Sequence, residues 1–340
     1  MDSLTQIVLG ASVGELVLGK KVGNRAALWG AIGGTIPDLD VLAQYMMNPI
    51  DALLVHRGFS HSILFCILTA PIFGWIVWKI HKNQPASWKD WSWLFFWALF
   101  THPLLDAFTT WGTQLFWPFE SRLAYKSIFV IDPLYTFPFL ILLSIALFKP
   151  KSSDRRRRLN KLGLIISTSY LILSFANKLS ITPIFERALE EQNIQYSKIE
   201  TKPMPLQNLL WTANVASDSG YYIGYYSRLD KNSDIHFNFY EHNKKLLSPN
   251  LSDDVSKAIS MTQGWYTVDQ LKDTLIIHDL RFGIIGDFKT GEGEFVFDYL
   301  AKPKLLNERV YYRIEQKRNS FQGSDKIFNS LLNRIAGNKE

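Results

Sequence analysis

The 340-residue chain has a single cysteine, Cys66, set inside an apolar run. A disulfide framework and a cysteine-based zinc site are both excluded by that count. The chain also lacks the His-Glu-x-x-His pattern of helical zinc proteases and any evident repeated halves of the kind many transporters carry. There is no basic N-terminal region followed by a small-residue cleavage site, so a cleaved signal peptide is not expected. Acidic residues are scarce in the first half: residues 1–180 hold 10 Asp+Glu against 17 Lys+Arg, while residues 181–340 hold 21 against 20. The net charge of +6 therefore belongs to the part that carries the long apolar runs, not to a solvated basic face, and no nucleic-acid partner is expected.

What the first half has is hydrophobic length. Ile63–Ile80 is eighteen residues whose one charge is the terminal Lys79, enough to cross a hydrocarbon core of ~30 Å. Trp91–Trp111, Ile128–Phe148 and Leu159–Leu179 are each about twenty residues long, with Trp, Tyr, Lys or Arg near an end. Leu4–Gly19 is short and contains Gln6 and Glu15. Ala26–Tyr45 is rich in glycine and broken at Pro37-Asp38-Leu39-Asp40. Both read as bundle helices, short or re-entrant, packed closely through Gly10, Gly14, Gly30, Gly33 and Gly34.

About six spans are thus expected over residues 1–180. Their connections at 20–25, 79–90 and 149–161 hold three, three and seven Lys/Arg, against one in 46–61 and two in 112–127. The excess of basic residues on alternate connections places those three in the cytoplasm and both termini outside. Residues 195–340 change character. Short alternating or aromatic runs at Leu209–Ala216, Tyr221–Ser227, Ile235–Phe239, Thr274–Leu280, Glu294–Leu300 and Arg309–Glu315 are separated by turn residues, with helices expected over Ser252–Met261 and Asp325–Ile335. The expected fold class is a polytopic α-helical membrane bundle followed by a small extracytoplasmic β-rich (α+β) domain.

Ionisable side chains inside spans are costly and usually face a bundle interior or a wet cavity. Asp38 and Asp40 close the second span, His56 and His61 bracket the start of the third, and His102 and Asp106 lie in the outer part of the fourth. On the charge-derived orientation all six fall on the external side. His102 and Asp106, four apart, share one helix face, the spacing that sets two ligands on one ion. A mixture of imidazole and carboxylate suits one or two divalent ions, Zn²⁺, Mn²⁺ or Fe²⁺. The bland readings are a capping His61, a hydrogen-bonded interior His102 and an Asp38–Arg57 pair. Glu15 is either a second partner or general base or a structural carboxyl. His236, His242 and His278 are scattered without ligand spacing.

The Met1-Asp2-Ser3-Leu4-Thr5 start, the run from Gly34 to Asp40, His56-Arg57-Gly58-Phe59-Ser60-His61 and Thr101-His102-Pro103-Leu104-Leu105-Asp106 together resemble the bacterial YdjM/YfhP family of membrane-bound, metal-dependent hydrolases. The resemblance covers roughly residues 1–135, with Trp111-Gly112-Thr113 and Ile131-Asp132-Pro133 included. It implies a multi-pass protein of the bacterial inner membrane. One departure is Gln6, where the family often has a histidine.

The reading that results is hydrolysis of an ester or phosphoester in an amphiphilic or lipid-like substrate at the outer membrane face, with membrane lipids as surroundings. Asp38, His56, His61, His102 and Asp106 are the expected metal ligands, Asp40 a ligand or base, Glu15 a further candidate, and Arg57, with Arg122 or Lys126, the holder of an anionic head group. A transporter, or a non-catalytic scaffold with a metal or proton site, is the alternative.

Overall fold

The computed structural model describes residues 1–247, 252–286, 293–306, 309–318 and 324–338. It divides into two compact units: Met1–Leu42 with Val55–Asn177 and Pro205–Gln207, and Ala43–Leu54 with Lys178–Met204 and the chain from Asn208 onward.

The first unit is helical. Asp2 caps α1 (Ser3–Val22) by accepting the Thr5 N–H, and α2 (Asn24–Thr35) lies against α1 at backbone distance. A Cβ placed on Gly10 would meet the Gly30 carbonyl oxygen at 2.3 Å, so only glycine permits this approach. Past Thr35 the chain tightens into a 3-10 turn over Pro37–Tyr45, since proline has no N–H to continue the α ladder. The short α3 (Pro49–Val55) follows.

Ser62 caps α4 (Ile63–Ile80), and a Ser87/Asp90 capping box opens α5 (Trp88–Asp106). α6 (Pro133–Leu147) starts on Asp132, which accepts the Leu134 and Tyr135 N–H groups, and α7 runs from Asp154 to Glu191. Among the described residues two helices, α4 and α7, are long and apolar enough to cross a membrane, and α6 is a shorter apolar helix. Only 22% of the apolar stretch of α4 and 17% of that of α7 is buried. A soluble core helix would be covered, whereas these turn their apolar surface outward, as lipid-facing helices do.

The second unit is built on two four-stranded antiparallel sheets. The first has the order β1 (Lys198–Pro203), β2 (Leu210–Ala216), β3 (Gly220–Ser227), β4 (Phe237–Glu241). The second has the order β5 (Tyr266–Leu271), β6 (Thr274–Gly286), β7 (Gly293–Leu306), β8 (Arg309–Arg318). Period-two alternation divides the faces of β3. Tyr221, Ile223 and Tyr225 join Trp265, Leu280, Ile284 and Phe295 in the core between the sheets, while Tyr222 and Tyr226 face the other way. On that other face Trp211, Ala213 and Val215 of β2 pack on Ile181, Phe185, Ala188 and Leu189, the amphipathic end of α7.

The helix expected to end at Leu179 therefore continues for another three turns because those residues supply a buried stripe. α8 (Asp253–Met261) and α9 (Ser324–Ile335) complete the unit. Two strands depart from expectation: neither β1 nor β5 falls in one of the anticipated runs.

Candidate metal centre

The change from α2 to the 3-10 turn takes the backbone out of α register and leaves the Gly34 carbonyl to accept a hydrogen bond from His102 Nδ1, at 2.6 Å. A carbonyl can only accept, so Nδ1 carries the proton and, in the neutral ring, Nε2 carries the lone pair. His61 is turned in the same sense. Its Nδ1 lies 2.9 Å from Ser60 Oγ and 3.2 Å from Asp40 Oδ2, while Ser60 Oγ itself donates to Asp40 Oδ2 at 2.8 Å.

The two Nε2 atoms meet at 3.2 Å. Asp38 Oδ1 lies 3.3 Å from His61 Nε2 and 3.4 Å from His102 Nε2, and Asp106 Oδ2 lies 3.6 Å from each. His61, His102 and Asp106 are fully buried, and the Asp38 side chain, 30% exposed, is the open side. These four residues form a group that could hold a metal ion, all four ligand atoms lying within 4.8 Å of one another.

The donor set fits such an ion. Four N/O donors arranged tetrahedrally about Zn²⁺ stand about 3.3–3.6 Å apart; the two Nε2 atoms and the four imidazole–carboxylate separations run from 3.2 to 3.6 Å, and the two carboxylates lie within 4.8 Å of each other. Four electron-rich atoms this close, out of water, need a cation among them. Without an ion, a proton has to serve. Burial alone would lower the basicity of His61, but Asp106, Asp38 and Asp40 outweigh it, and the His61 pKa is pushed up to about 9.

The other expected site residues take different places. Asp40 stands behind His61 and gathers donors: His56 Nδ1 at 2.7 Å, the Arg57 N–H at 2.9 Å and Ser60 Oγ. His56, with a 28% exposed side chain, bonds Asp40 and packs its ring against His61 at 6.0 Å and Trp111 at 6.1 Å, outside the group of four. Arg57 is turned toward Asp106. It is buried, its Nη1 donates to Thr109 Oγ1 at 3.0 Å, and its Nε lies 3.1 Å from Asp106 Oδ2, so it compensates that carboxylate. Its backbone is held at φ +59° between Asp40, which takes its N–H, and Gln114, which donates to its carbonyl. Arg122 donates to the His56 carbonyl at 3.0 Å, and Lys126 is buried.

Glu15 is not brought to the cluster. It lies nine residues along α1 from Gln6, about 13 Å at the helical rise, in a bidentate pair with Arg156, both bonds 2.6 Å. Two groups at Asp106 were given no role from sequence: the Met1 amino group, which pairs with Oδ1, and Gln6, whose Nε2 donates to Oδ1 at 3.0 Å and whose Oε1 is buried without a partner among the described residues.

The model of the YdjM inner membrane protein family matches residues 1–181. The chain belongs to this family. No curated protein and no solved structure matches it. As a YdjM family membrane protein it carries the whole Asp/His cluster, with the residues that orient it, inside the matched region, and both sheets lie beyond it.

Proposed function

We propose that this YdjM family protein is a metal-dependent hydrolase acting on an ester or phosphoester of an amphiphilic, lipid-like substrate at the outer face of the inner membrane. The observation that carries the reading is the convergence of His61 Nε2, His102 Nε2, Asp38 and Asp106 within 4.8 Å of one another, each ring turned inward by an acceptor at its Nδ1. When bound there, a divalent ion, Zn²⁺, Mn²⁺ or Fe²⁺, supplies Lewis acidity that makes water a nucleophile near neutral pH.

The chain's own residues supply the rest. Asp40 fixes the His61 ring and, through the 2.7 Å contact, the His56 ring, so that His56 Nε2 is the nitrogen set to accept a proton from water. Arg57 offsets the buried charge of Asp106. The open side, at Asp38, is bordered by exposed Leu39, Val41 and Leu42 on the 3-10 turn, and Phe59, next to Ser60 and His61, stacks edge-on with Trp117 at 4.9 Å. An apolar border at the one exposed ligand suits a substrate with hydrocarbon tails.

Metal analysis of the purified protein tests the centre. His102→Ala and Asp106→Ala should each remove most of one metal equivalent, and the double variant should lose little more, because residues that share an ion act as a unit. Additive losses of stability with metal content intact would instead favour a scaffold. His56→Gln should keep the metal and lose hydrolysis of long-chain p-nitrophenyl esters or phosphoesters.

A further inference from the structure

We propose that the second unit sets the metal affinity of the buried centre through the loop that joins Asp40 to His56; this rests on reading the Asp/His cluster as a metal centre. Asp40 and His56 belong to the first unit, yet Ala43–Leu54 between them belongs to the second. The chain therefore leaves the first unit three residues after Asp40 and returns one residue before His56.

The loop is closed at its base by the Asp40 carboxylate, which takes His56 Nδ1 at 2.7 Å and the Arg57 N–H at 2.9 Å. Its far end is anchored within the second unit. Ile50 and Ala52 of α3 are buried, and Asp51 pairs with Lys257 of α8 at 2.9 Å, Lys257 being shared with Asp253 at 2.7 Å. Between base and anchor, Tyr45 and Met46 are 80% and 88% exposed.

The carboxylate that closes the base is also the one that faces His61 Nδ1 at 3.2 Å. A shift of the anchored end passes along α3 and the 3-10 turn to Asp40, and from there to the orientation of a ring whose other nitrogen belongs to the metal group. The second unit thus acts as a regulator of the site, and the Asp51–Lys257 pair is its latch. Both side chains are about one-third exposed, so the latch can be broken without opening a core.

The test is a charge-reversal cycle on the full-length protein in detergent, read by Co²⁺ and Zn²⁺ titration with a melting curve as the folding control. Lys257→Glu and Asp51→Lys should each weaken metal binding by about twofold to thirtyfold, and the double reversal should restore it. Lys257→Ala, which removes the pair without adding repulsion, should weaken it in the same direction. Wild-type protein that binds metal while all these variants bind it equally well overturns the latch alone, as does a double reversal that fails to rescue. Wild-type protein that binds neither ion overturns the metal reading and the latch together.

Discussion

His61 shows how much of the site depends on what lies behind a ligand. Three aspartates outweigh the cost of its burial and hold its pKa at about 9, so below that pH an incoming metal ion must displace a proton. Metal affinity should therefore rise with pH up to about 9 and level off above it, with a proton released for each ion bound at neutral pH; calorimetric titrations in buffers of different ionisation enthalpy measure that release. Asp40→Asn removes one of the three charges and the carboxylate facing Nδ1. It should weaken binding roughly tenfold to hundredfold and move the levelling-off to lower pH. Unchanged affinity and an unchanged pH profile would mean that Asp40 serves only the loop. Residue types and spacing were enough to single out Asp38, His61, His102 and Asp106, because costly groups inside apolar runs stand out. They were not enough to separate a residue that faces the centre from one that stands behind it. Asp40 and Asp38 are two apart in the same motif and differ only in what the 3-10 turn lets each one meet.

At the scale of elements, the polar side chains of α1 divide between its two ends. The Gln6 end faces Asp106, whereas Glu15 is buried against Arg156 in α7, and Ser12 bonds Asn160 one turn away at 2.6 Å. Arg156 thus comes out of the Arg155–Arg158 run to serve as a packing contact, which a count of basic residues could not reveal. Glu15→Ala or Arg156→Ala alone leaves a buried charge without a partner and should cost about 3–5 kcal/mol, whereas replacing both with apolar residues should cost far less. Thermal unfolding in detergent measures the difference, and metal content should stay unchanged throughout; loss of metal in folded Glu15→Ala would return Glu15 to the site. Span α4 was legible to the residue, since its apolar run is bounded by Ser62 and His81. β1 was not, because Thr201 and Lys202 are buried polar residues, with Lys202 Nζ donating to the Leu280 carbonyl. The tail of α7 was missed for a related reason: its stripe is amphipathic, and a hydropathy reading looks for uniform apolarity.

For the whole molecule, the decisive feature is that one helix, α7, starts in the first unit beside the densest basic segment and ends in the second. At 1.5 Å per residue its 38 residues extend about 57 Å, longer than a hydrocarbon core of ~30 Å requires. Removing Arg156 from the count still leaves six Lys/Arg in 149–161, so the expectation of a cytoplasmic connection there rests on the remaining charges. The end of α7 that packs on β2 is then expected outside. Reporter fusions check this directly: those after Lys89 and Lys161 should read cytoplasmic, and one after Tyr196 external. A cytoplasmic reading after Tyr196 would overturn the charge-derived topology and, with it, the expected external placement of the site. The metal group would survive that result because its geometry owes nothing to topology, but a substrate drawn from the outer leaflet would not.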